Sequence, residues 1–208
     1  ADAIPEHSQV TQEFRLESNE WGAFDWQAGF FWFDEDVEID SFSYDTLARG
    51  AVNGFARQNQ QNKAWALYAS GEYETGPWTL RGGLRYTDDE KEFTARRFSS
   101  PIGGGARGPL TANPEATDVS WDLSATHALS DDANVYTRVA KGFRAPSIQG
   151  RILFGDALSV ADSEDVLSFE AGYKADLFDR RARLGLAAFA YRVDDQQLTA
   201  VGGTANFN

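Results

Sequence analysis

Cysteine is absent from all 208 residues, which excludes disulfides, thiolate catalysis and any metal site built on sulfur. Methionine is absent too, and Ala1 opens no charged-then-apolar leader, so the chain is expected to be part of a longer product. No run approaches the roughly 18 apolar residues that a membrane-spanning helix needs. Cations are scarce: 19 Lys and Arg stand against 32 Asp and Glu, a net charge of −13. Nucleic acid is therefore not an expected partner, because phosphate binding needs cationic surface. The two histidines, His7 and His127, lie far apart without a surrounding motif and read as surface residues. No catalytic constellation is visible, and neither an enzyme nor a cofactor is expected. Gly103-Gly104-Gly105 lacks the Lys-Ser/Thr of a phosphate loop and reads as a flexible loop tip.

What is abundant is aromatic: 13% of residues, with six Trp. The mean hydropathy of −0.46 looks soluble. A barrel wall hides its apolarity, however, because only alternate residues meet lipid. That alternation recurs along the chain. Val10, Gln12, Phe14 and Leu16 share one parity, as do Phe24, Trp26, Ala28, Phe30 and Trp32. Trp65, Leu67, Ala69 and Tyr73 follow, then Trp78, Leu80, Gly82, Leu84 and Tyr86. Val119, Trp121, Leu123 and Ala125 make a fifth set, Val135, Thr137 and Val139 a sixth, and Leu167, Phe169, Ala171 and Tyr173 a seventh. Leu184, Leu186, Ala188 and Ala190 form an eighth, where Phe189 and Tyr191 compete on the opposite parity.

The links between these segments are unequal. Near Asn19, Gly76, Asp131 and Asp179 they are a few residues long; between Asp34 and Asn62, Arg96 and Ala116, and Phe143 and Ser163 they read as long loops. Compact soluble domains seldom carry several long structureless loops. Short turns on one side and long loops on the other are characteristic of outer-membrane barrels. Trp78 and Tyr86, eight residues apart on one face, would be separated by about 20 Å along the membrane normal at ordinary strand rise and tilt. That is close to the height of an aromatic-bordered lipid band. The expected girdle comprises Trp26, Trp32, Trp65, Trp78, Tyr86 and Trp121. The apolar sets of the first six segments contain no Lys or Arg, whose burial at mid-membrane costs about 2–4 kcal/mol.

Several stretches in order resemble the barrel of TonB-dependent outer-membrane receptors. They are Gln12-Glu13-Phe14-Arg15-Leu16, Leu80-Arg81-Gly82-Gly83-Leu84-Arg85-Tyr86-Thr87, Val135 to Pro146 with its Lys141-Gly142-Phe143-Arg144-Ala145-Pro146 end, and Phe169-Glu170-Ala171-Gly172-Tyr173-Lys174 followed by Ala187-Ala188-Phe189-Ala190-Tyr191. The resemblance implies an all-β, antiparallel up-and-down transmembrane barrel segment, with residues 1–208 supplying about eight strands of a 22-stranded wall. The family's plug and TonB-contacting box have no counterpart here, nor do its remaining strands. It further implies uptake of a scarce nutrient, most often a ferric siderophore, in a Gram-negative outer membrane. Its partners would be outer-membrane lipid and lipopolysaccharide, the ligand, and TonB through the missing plug.

Anionic, aromatic siderophore complexes suit guanidinium groups and ring faces. The ligand candidates in the loop-like stretches are therefore Phe42, Tyr44, Arg49, Phe55, Arg57, Arg144 and Arg151. The acidic runs Asp34 to Asp40, Asp88-Asp89-Glu90 and Asp162 to Asp165 read first as solvated junctions. Ca²⁺ and lipopolysaccharide-bridging cations are the other readings, although Ile39 stands where an EF-hand needs glycine. Three alternatives stay open at this point: a complete eight-stranded barrel, a passive pore, and a soluble carbohydrate-binding β protein.

Overall fold

The structure, a computed structural model, describes every residue except 20, 21, 156, 199, 203, 204 and 208, and only the backbone of 200–202 and 205–207. The main strands are β1 (Asp2–Glu17), β2 (Phe24–Asp45), β3 (Ala51–Thr75), β4 (Trp78–Ser99), β5 (Arg107–Ala112), β6 (Glu115–Ser130) and β7 (Ala133–Arg144). Two short strands follow, β8 (Ser147–Gln149) and β9 (Ser159–Ala161), then β10 (Glu164–Leu177) and β11 (Ala182–Asp194). A separate two-stranded ribbon closes the chain, β12 (Ala200–Gly202) with β13 (Ala205–Phe207). One antiparallel sheet runs β1-β2-β3-β4-β6-β7-β10-β11, with β5 paired to the far end of β4. Its path ends at β1 and β11, which do not pair with each other among the described residues. The sheet is therefore an open arc, not a closed eight-stranded barrel.

The register bears out the alternation. Directly paired residues share a face. Phe14 pairs with Phe30, Phe30 with Leu67, Leu67 with Tyr86, and Tyr86 with Val119. Farther along, Leu123 pairs with Val139, Val139 with Phe169, and Phe169 with Ala190. The same parity thus carries the apolar residues across all eight strands, and Leu184 and Leu186 join it against Ala175 and Tyr173. Among the described residues no tryptophan of this face is buried: Trp78 is exposed, and Trp26, Trp32, Trp65 and Trp121 are half-exposed. We call this the outer face.

Two expectations need correction. The stretch from Asp34 to Asn62 is not a long loop: β2 and β3 stay paired to Asp45 and Ala51, leaving residues 46–50 as the turn. β4 likewise continues through Asp88-Asp89-Glu90 to Ser99. These segments looked loop-like because their outward parity turns polar. Above Trp32, Trp65 and Tyr86 the outer face carries Asp34, Asp36, Glu38 and Asp40, paired with Lys63, Gln61, Asn59 and Arg57. At the same level the inner face gains apolar residues, Phe33, Val37 and Ile39 on β2 and Phe93 and Ala95 on β4, beside polar Glu35, Gln58, Gln60 and Asn62. The pairing continues without a break, and on β2 the sign of the period inverts.

Inner-face tyrosines fill the gaps left by glycine on neighbouring strands. Gly29 lies under the Tyr68 ring, where a β-carbon would collide, and the Tyr68 hydroxyl donates to Glu13 at 2.5 Å. Tyr136 covers Gly172 and donates to Glu170 at 2.5 Å in the same way. Each ring covers backbone that glycine leaves bare and stiffens the register locally. Gly29→Ala should destabilise the folded protein by about 1–3 kcal/mol, the usual cost of overpacking. Gly142→Ala, where an added β-carbon meets nothing within 4 Å, should leave stability unchanged. Thermal unfolding followed by the electrophoretic shift of the folded barrel reads both.

Candidate functional site

The outer face is ordered by height. Measured from the short-turn end of its own strand, Trp32 lies eight positions up from Phe24 and Trp65 ten from Thr75. Tyr86 is eight from Trp78, and Trp121 nine from Ser130. Trp26, Tyr73 and Trp78 lie within two positions of their strand ends. Two aromatic belts result, about 20 Å apart at barrel tilt. Rings also meet laterally, Trp65 against Tyr86 at 5.4 Å and Trp78 edge-on to His127 at 4.4 Å. His127 therefore sits in the belt beside the short turns. His7 pairs with Glu35 at 3.0 Å on the inner face.

Between the belts the inner face is a polar lattice. Arg81 meets Glu72, Arg138 meets Asp122 at 3.4 Å, and Arg85 lies over the Phe31 ring at 5.3 Å. Opposite charges facing one another satisfy groups that could not face hydrocarbon.

The seven ligand candidates divide. Phe42, Tyr44, Phe55 and Arg57 are strand residues, not loop residues, and follow the outward parity beyond the upper belt. Phe42 and Phe55 are paired and stacked at 5.1 Å, and Phe55 stacks on Phe98 at 5.0 Å. Arg57 grips Asp40 through two hydrogen bonds of 2.7 and 2.8 Å and lies 3.3 Å from Glu38. The bond to Asp40 raises the Arg57 guanidinium above its ordinary pKa, so it stays charged throughout the physiological range. Arg49 sits in the turn at a positive φ of 57°. Arg144 ends β7, and Arg151 lies between β8 and β9, over the Phe154 ring at 5.7 Å and 3.7 Å from Asp2. The structure does not bring the seven together.

The acidic run of β2 makes no metal-holding group among the described residues: Asp34, Asp36, Glu38 and Asp40 share the outward face with Lys63, Gln61, Asn59 and Arg57 as their cross-strand partners, and Glu35 points inward. Those facing outward are bonded, Asp36 by Asn59 and Gln61 and Asp40 by Arg57.

Sequence reasoning missed the most enclosed part of the molecule. On the inner face at the loop end, the stretch joining β7 to β10 folds back over β3 and β4. Ile152 and Leu153 are fully buried there against Ala56, Phe93 and Ala95. Gly150 admits no side chain because the Phe93 ring occupies that space. Arg97, 2% exposed, donates to the carbonyls of Gly105 at 3.0 Å, Gly155 at 3.3 Å and Ile152 at 3.4 Å. The triple glycine is thus held at Gly105, and its positive φ values of 95°, 86° and 62° let it turn there without strain. Lys91 donates to the Pro146 carbonyl at 2.9 Å, and Gln197 ties the Ala145 and Asp162 carbonyls together. The signal available beforehand was the apolar run Ile152-Leu153-Phe154 within the linker, with Ile148 and Leu158 on either side.

A family model described as TonB dependent receptor-like, beta-barrel, matches residues 5–208. The chain belongs to this family. Among solved structures, the TonB-dependent receptor segment is similar to the ferric yersiniabactin uptake receptor FyuA from Yersinia pestis, at 21% identity and a TM-score of 0.79. That likeness covers 97% of this chain and 30% of FyuA. The Ferric-Catecholate import receptor Fiu from K12 E. coli, in its closed form, gives 17% identity and a TM-score of 0.67 over 96% of this chain and 33% of its own. No curated protein sequence matches. At these identities the two structures speak to fold, and the chain spans less than two thirds of either.

Family membership sets aside the soluble carbohydrate-binding alternative and supports the reading of the outer face as a lipid surface. In the full receptor, Ala28→Arg, midway between the belts, should cost about 2–4 kcal/mol, whereas Gln61→Arg above them should cost close to nothing. Folding titrations into lipid vesicles distinguish the two.

Proposed function

We propose that residues 1–208 form part of the wall and outer mouth of an outer-membrane TonB-dependent receptor that takes up a ferric siderophore. The observation that carries this reading is the outer face, apolar between two aromatic belts and polar above them, on a chain of the TonB-dependent receptor family. The iron cargo is supported by the two structural neighbours, one a ferric yersiniabactin receptor and the other a ferric-catecholate receptor.

In this reading the ligand meets the inner face at the loop end, and Arg144 and Arg151 are the proposed contacts for an anionic complex. Phe42, Tyr44, Arg49, Phe55 and Arg57 are proposed for the outer side of the mouth, where rings and charges stand level with the polar headgroups and sugars of lipopolysaccharide. The plug, the remaining strands and contact with TonB are proposed to belong to the rest of the receptor, with energy supplied through the plug.

Deleting the gene should abolish growth on one ferric siderophore as sole iron source, and the full-length gene should restore it. A strain lacking TonB should show the same defect. Unchanged growth on every ferric source tested would remove the siderophore reading.

A further inference from the structure

The inner face of this sheet is open and polar over most of its height, yet at the loop end it is capped. The cap runs from Pro146 to Gly155. Its underside is dry: Ile152 and Leu153 are wholly enclosed on Ala56, Phe93 and Ala95. Its exposed Arg151 guanidinium lies over Phe154, itself partly buried against the same cluster, and 3.7 Å from Asp2. Leu110, Ile148, Phe154 and Leu158 pack around this cluster, but apolar packing is non-directional. Arg97 supplies direction. It rises from β4 on the inner parity, paired with Ala56, and its fork reaches carbonyls of two separate connections, Gly105 in one and Ile152 and Gly155 in the other. A planar guanidinium has five donors in fixed directions, so one side chain can index both backbones to the sheet; an ammonium cannot reproduce that fork.

We infer that Arg97 is the positioning residue of the receptor's outer mouth, pinning the Pro146–Gly155 cap across the inner face so that Arg151 and Phe154 are presented to an anionic, aromatic ligand. The cap closes the β3–β4 inner surface to solutes from outside while its guanidinium–ring pair faces them. The ligand part rests on the siderophore reading above; the closure does not.

The absence of cysteine in this segment permits a direct test in the full-length receptor. Ala95→Cys places a thiol under the cap at a site that is 0% exposed, and labelling by a bulky hydrophilic maleimide on intact cells reports opening. We expect slow labelling in the parent and a rise of at least about tenfold on adding Arg97→Ala, as local unfolding frees the site. Arg97→Lys should lie between, and Leu153→Asp should open the cap without touching the arginine. In parallel, binding of a ferric tris-catecholate should weaken about tenfold in Arg97→Ala and in Arg151→Ala, the loss of a charge-assisted contact, with labelling unchanged only in the latter.

Equal labelling of Ala95→Cys with and without Arg97 would overturn the inference. Faster labelling with unaltered ligand affinity would overturn the positioning role and leave Arg97 a structural clamp. A parent that binds no ferric complex but shows the labelling difference would sink the siderophore reading while supporting closure by Arg97.

Discussion

A single ribbon in this protein has a different environment on each side, and the backbone accepts this only because its side chains alternate. Every backbone donor and acceptor in hydrocarbon must be paired within the protein, so strands cross a membrane only as members of a hydrogen-bonded wall. Once that wall exists, the period of two assigns each residue to one side, and composition follows. Trp32 and Trp65 are outward, paired partners; Phe33 and Ala64 are their inward neighbours. One residue of register slip would exchange the two sets and expose Arg81 and Arg85 to lipid. The inner Tyr–Gly–Glu arrangements at Gly29 and Gly172 oppose such slippage, because each large ring has a matching gap in one register only.

The same rule explains the change at the upper belt. Below it, outward residues are apolar and inward ones pair their charges. Above it, outward residues are polar and bonded to one another, and inward Ala56, Phe93 and Ala95 meet the folded-back cap. β2, β3 and β4 stay paired through that level. Asp34, Asp36, Glu38 and Asp40 are therefore continuous with Phe24, Trp26, Ala28, Phe30 and Trp32 on one face of one strand.

This accounts for what could be read from the residues and what could not. The eight-strand pattern, the short turns and the belts were legible because lipid imposes a strong, uniform demand. The ends of β2, β3 and β4 were not, because an apolar-outward template stops matching at Asp34 although Asp36-Val37-Glu38-Ile39-Asp40 still alternates. That Phe42 and Arg57 lie on strands and face outward, apart from Arg144 and Arg151, was hidden for a related reason: without knowing that β2 and β3 continue, their parity has no meaning. The cap was invisible because Arg97 reaches residues more than fifty positions away, a contact that no local pattern encodes.

The central claim is that the parity of β3 inverts its environment near Trp65. Single cysteines from position 57 to 73, spin-labelled in the full receptor within bilayers, test it through accessibility to oxygen and to a water-soluble nickel chelate. The account predicts that odd positions from 65 upward favour oxygen, that odd positions from 57 to 63 favour nickel, and that the exchange occurs within one or two residues. Odd positions shielded from both reagents along the whole strand would contradict it.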